Sequence, residues 1–136
     1  MTARALLDRI REIRSSIAFR NEKIEDLEEL ACNTTSQLTG MPRGGGPDHS
    51  PMATAICEKI DLEREIADLA EERKRLIAKL DLISDEDLER LLILRYVRGL
   101  KWEQIMTKMG YSETQIHRLH RKALTILDKK MAVNGS

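Results

Sequence analysis

The residues best suited to chemistry lie in the last third of the chain. Gly110-Tyr111-Ser112 separates a short amphipathic stretch, Trp102 to Met109, from a long basic one. Ser112 and Gln115 stand at the spacing of a capping box, which predicts a helix start immediately after the turn. Two helices joined in this way have the spacing of a helix-turn-helix. Ile105, Met109, Ile116, Leu119 and Ala123 are the apolar positions that would lock the pair at a steep angle. The first turns of the second helix are then free to enter a DNA major groove. On that reading Thr114, Gln115, His117, Arg118 and Arg121 are the candidates to meet base edges, Lys101, Lys108 and Lys122 meet phosphates, and Ser112 and Glu113 complete the DNA-binding set. Glu113 could accept from a cytosine amino group or only complement the helix dipole.

Charge distribution agrees with that assignment, although total charge does not. The chain has 23 basic and 23 acidic residues. From Arg95 to Ser136, however, nine basic residues face three acidic ones, a net +6, whereas Met1 to Ile83 carries 13 basic and 16 acidic residues. A basic C-terminal third on a neutral chain is a local field that attracts phosphate.

Other chemistries find little support. His117 and His120 lie three apart on one helix, but no Cys or carboxylate at ligand spacing completes a metal site with them, so both are expected to be exposed near phosphate. His49 stands alone. Gly44-Gly45-Gly46 lacks the following Gly-Lys-Ser/Thr and the preceding strand of a phosphate loop. Acidic residues alternate with Lys and Arg as on a solvated helix face, so neither an enzyme nor a cofactor is expected. Absence of an 18-residue apolar run and of an apolar leader near Met1 predicts a cytoplasmic protein with no membrane contact. In that reducing setting Cys32 and Cys57 are expected to remain thiols. Trp102, at the start of a scaffold helix, is expected to pack rather than stack on a base.

The elements that must position the site read as helices throughout. Leu6, Ile10, Ile13, Ile17, Ile24 and Leu27 follow steps of four and three, with Arg20 at the interruption. The rhythm returns as Met52, Ala55, Leu62, Ile66, Leu69, Leu76, Leu80 and Ile83, with Lys59 and Arg73 at the remaining seam positions. Two helices of roughly 30 residues, each about 45 Å long, follow. Residues 33–51 between them hold all three prolines and four of the seven glycines and are read as a flexible linker. If the helices fold back antiparallel, Arg20 falls near Glu63. The seams either simply bury one another or leave Ile56, Ile60 and Ile77 as a flank for a second copy, making the hairpin a homo-oligomer. A new element opens at Ser84, an N-cap followed by Asp85, Glu86 and Asp87. Leu88, Leu91, Leu92 and Tyr96 give it a buried face until Gly99, and the last helix should run to about Lys130.

These residues also carry a resemblance. The run from Leu94 through Arg95-Tyr96 and Gly99 to Glu103-Gln104-Ile105, then Gly110-Tyr111-Ser112 and Ile116 to Leu124, is similar to region 4 of bacterial sigma factors over about 40 residues, Asp87 to Leu127. With the long N-terminal hairpin and the Gly40-Met41-Pro42-Arg43-Gly44 segment, the chain resembles phage and prophage regulators related to the ArpU and RinA late-gene activators. The resemblance implies a sequence-specific DNA-binding regulator of late-gene transcription, with promoter-reading side chains at Glu113, Thr114, Gln115, His117 and Arg118. No counterpart of the other sigma regions is recognisable, so it implies a regulator rather than a whole sigma factor.

The expectation is an all-α protein: a helical hairpin over residues 1–83 and a sigma-region-4-like DNA-binding domain over residues 84–136. Two rivals remain open. A DNA-packaging adaptor resembling a small terminase subunit would also combine coiled helices with a helix-turn-helix, generally with the reader N-terminal. A region-4 mimic would dock on RNA polymerase without reading DNA.

Overall fold

A computed structural model describes the backbone of residues 1–37 and 51–134. Among the described residues every regular element is helical: α1 (Ala3–Gln37), α2 (Pro51–Ala78), α3 (Glu86–Leu92), α4 (Trp102–Met109) and α5 (Glu113–Asn134). A 3₁₀ turn, Lys79–Leu82, continues α2, and a π-helical turn, Ile93–Val97, continues α3. The chain is therefore all-α, a helical hairpin followed by a helix-turn-helix. The expected linker at 33–51 begins later than predicted, because α1 continues to Gln37. Residues 38–50 lie outside the described residues.

Packing divides the chain into two compact units, one of Met1–Arg14 with Glu71–Ser136 and the other of Ser15–Ala70. Within the first unit Ala3, Leu6, Leu7, Ile10 and Ile13 of α1 are buried, as are Leu76, Leu80, Ile83, Leu88, Leu91, Leu92, Ala123 and Leu127. The first turn of α1 is fastened twice. Thr2 Oγ1 accepts from the Ala5 amide at 3.1 Å, and Asp128 of α5 accepts from the Ala3 amide at 2.6 Å. Arg9 and Glu72 form a two-pronged pair at 2.8 and 2.9 Å, which holds that carboxyl below its usual range.

In the other unit the two helix segments run antiparallel, shown by Arg20–Glu65 at 3.5 Å and Glu28–Lys59 at 3.3 Å. The sequence pointed to Glu63 as the partner of Arg20. The acid is Glu65, two residues along, and Arg20 also donates to the Ser16 carbonyl at 3.2 Å. Cys32 and Cys57 are free and exposed.

Asp85, not Ser84, caps α3. Asp85 sits in extended backbone and its carboxylate accepts from the Asp87 and Leu88 amides. Either residue type can cap, and the carboxylate also complements the helix dipole. At the other end three arginines converge on bare carbonyls: Arg14 donates to Arg98, Arg73 to Val97 at 3.0 Å and Arg95 to Leu100 at 3.1 Å. Gly99, at φ +72°, turns the chain there, and a Cβ at that position would fall on the Arg14 guanidinium. No helix among the described residues is long and apolar enough to cross a membrane.

Candidate nucleic-acid interface

Leu91 and Leu94, Ile105 of α4 and Ile116 of α5 form one buried cluster, with Leu100, Trp102, Met106, Met109, Tyr111 and Leu119 packed partly against it. Of the inward positions read from the sequence, Ile105, Ile116 and Ala123 are fully buried and Met109 and Leu119 half-buried. The turn between α4 and α5 is local chemistry. Gly110 takes φ +74°, and its amide donates to Met106 at 2.8 Å, closing α4. The Ser112 amide then donates to Gln115 Oε1 at 3.0 Å while the Gln115 amide donates to Ser112 Oγ at 3.3 Å, the expected capping box.

Along α5 the buried positions are Ile116, His120, Ala123, Leu127 and Met131. At about 100° per residue, Thr114, Arg118, Arg121 and Thr125 fall half a turn away from that stripe. Thr114, Arg118, Arg121 and the neighbouring Lys122 are exposed, and neither arginine nor Lys122 has an ion-pair partner among the described residues. Lys101, at the start of α4, and Lys108, near its end, are exposed as well. Such a face presents guanidinium forks and ammonium groups at no cost in broken internal pairs.

Four other predicted site residues are less free. Gln115 and Ser112 are engaged with each other, so the Gln115 carbonyl oxygen is committed while a two-pronged contact to adenine needs it together with the amide nitrogen. Glu113 stands at the mouth of α5, where its carboxylate complements the helix dipole and lies 3.9 Å from His117 Nε2. His117 is half-exposed at the rim, its ring edge-on to Trp102 at 5.1 Å between centroids.

His120 departs from the sequence reading, which put both histidines at the surface. It is 8% exposed, bonded through Nε2 to the Tyr96 hydroxyl at 2.8 Å, and edge-on to Trp102 at 5.0 Å. Burial, reinforced by Arg4, His117 and Arg95, lowers its pKa to about 4. Burial likewise raises Tyr96. Trp102 packs as expected, with the Arg95 guanidinium over its ring, 4.4 Å from the centre. No local pattern announces this Tyr96–His120–Trp102–Arg95 group, apart from the spacing of His120 with Ile116, Ala123 and Leu127.

Beside α3 and α4 an open groove of about 270 Å³ is lined by Glu86, Glu89, Arg90, Arg98 and Lys108 with Ile93 and Leu94. Its mixed charge gives no field for an anion. Among the described residues no group of three or more His, Cys, Asp or Glu side chains could hold a metal ion.

The fold and this face together define a helix-turn-helix protein with a cationic, outward-turned second helix. The chain belongs to the family described as protein of unknown function DUF1492, whose profile matches residues 52–128. No curated protein and no solved structure matches it.

Proposed function

We propose that the chain is a sequence-specific DNA-binding regulator of transcription, acting on the late genes of a phage or prophage in the manner of the ArpU- and RinA-related activators. The observation that carries this is the unpaired Arg118–Arg121–Lys122 face of α5, half a turn from its buried stripe and opened by a capped, glycine-closed turn. In this reading Arg118 and Arg121 read base edges, Thr114 makes a shorter contact, and Lys101, Lys108 and Lys122 hold the phosphates. Glu113 and His117 border the groove, and Ser112 and Gln115 set the first turn of the reading helix. The resemblance to sigma region 4 over Asp87–Leu127 supports the same orientation. No catalysis is part of the role, and the place of action is the cytoplasm of the bacterial host.

One helix-turn-helix buries only about 600–1,000 Å² on DNA, so a second anchor has to supply part of the affinity. RNA polymerase or another protein at the promoter could be that anchor. The test is recovery of DNA bound to the tagged protein in a host that carries the parent element. Discrete peaks upstream of an operon, lost with Arg118→Ala plus Arg121→Ala, are expected. Polymerase subunits recovered without any discrete DNA would overturn the reading in favour of a docking module.

A further inference from the structure

Residues 15–70, one of the two compact units, carry eleven acidic and five basic residues, a net charge of −6; the remainder of the chain carries +6. Within this acidic unit the described hydrophobic residues are poorly covered. Only Ile24 and Ala55 are buried, whereas the seam residues Leu27, Leu62, Ile66 and Leu69 are half-buried. Ile56 and Ile60, four apart on one face of α2, are 48% and 47% exposed, and Phe19 and Leu30 of α1 are 54% and 51% exposed. The Glu28–Lys59 pair adjoins the isoleucine stripe, and Glu63 and Arg64 flank its next turn. Two helices with a half-open seam and an apolar flank lack a third helix.

Charge decides which third helix fits. A second copy of the hairpin would bring apolar side chains but would set −6 against −6. The basic unit of another copy would bring the opposite charge, yet its described exposed large hydrophobics are only Met1 and Val133. Both requirements are met by an amphipathic helix with an apolar stripe between rows of Lys and Arg. We propose that the Ile56–Ile60 face of the acidic hairpin is a docking site for a basic amphipathic helix of a different protein. The face and α5 belong to different units, so the proposal stands or falls independently of DNA reading.

The test uses the full-length chain and two labelled synthetic helices with the same Leu/Ala seam, one flanked by Lys and Arg, the other by Glu. By fluorescence anisotropy the basic helix should bind about ten-fold or more tighter than the acidic one, with affinity falling as salt rises. Ile56→Ser plus Ile60→Ser should weaken that binding about ten-fold at unchanged helicity, while Arg118→Ala leaves it unchanged. Equal binding of the two helices, or of wild type and double variant, would overturn the proposal. So would a dimer, seen by sedimentation, that the same double substitution dissolves, since the face would then belong to a second copy.

Discussion

At His120 the ring lies 8% exposed against the Tyr96 hydroxyl and between arginines, and its pKa falls to about 4. The folded chain therefore binds this proton more weakly than the unfolded chain, in which a histidine titrates near 6.5. Stability is complete above about pH 6.5 and declines as pH falls towards 4, by an amount on the order of 3 kcal/mol if the shift is fully expressed. Denaturant midpoints measured between pH 7.5 and 4.5 should show that loss, and His120→Phe should flatten it. An unchanged slope in the variant would assign the effect to other groups. His120 was misread in the sequence because a histidine three residues after another, on a basic helix, looks like surface. Its burial comes from the Ile116–Ala123–Leu127 spacing together with Tyr96 and Trp102, which are distant in the chain. Arg118 and Arg121 were legible for the opposite reason: one helical period places them opposite Ile116 and Ala123.

Among the elements, those whose ends are fixed by adjacent residues were the readable ones. Gly110 closes α4 and Ser112 with Gln115 opens α5, so both boundaries follow from local chemistry. Ser112→Ala should lower stability by about 1 kcal/mol, read as a shift in the urea midpoint. Gly99 and Gly110 take nearly the same backbone angle, φ +72° and +74°, but differ in surroundings. A Cβ at Gly110 meets nothing, so Gly110→Ala should cost only the left-handed strain of about 1 kcal/mol. Gly99→Ala also displaces Arg14 from the Arg98 carbonyl and should cost about 1 kcal/mol more. In an Arg14→Ala background that excess should vanish, and a persistent excess would show that Arg14 is not the obstacle. The arginine caps, the π-helical turn and the fastening of Ala3 to Asp128 depend on contacts 5 to 125 residues apart, which no local pattern announces. Similarly Arg20 met Glu65 rather than Glu63, because a heptad seam fixes which face is buried but not the axial register.

Over the whole molecule, neutrality hides two opposite halves. The acidic unit of residues 15–70 and the basic remainder cancel, and counting by the packed units sharpens the separation already read along the chain. The fold class and the two long helices were legible from periodicity. The fastening of α1 to α5 was not, since Ala3 and Asp128 meet across almost the entire sequence. Under the proposed role, DNA binding should weaken steeply with salt, and Lys122→Ala should reduce the log–log salt slope by about 1 with little change in base preference. Arg118→Ala should instead cost about 1–3 kcal/mol on the preferred site and relax selection at one position. The most direct test of DNA reading by α5 is selection from a randomised duplex library by the full-length protein, repeated with Arg118→Ala. A discrete motif is expected for wild type, in which the variant loses preference at one base pair; no enrichment by wild type, or an identical motif from the variant, would contradict DNA reading by this helix.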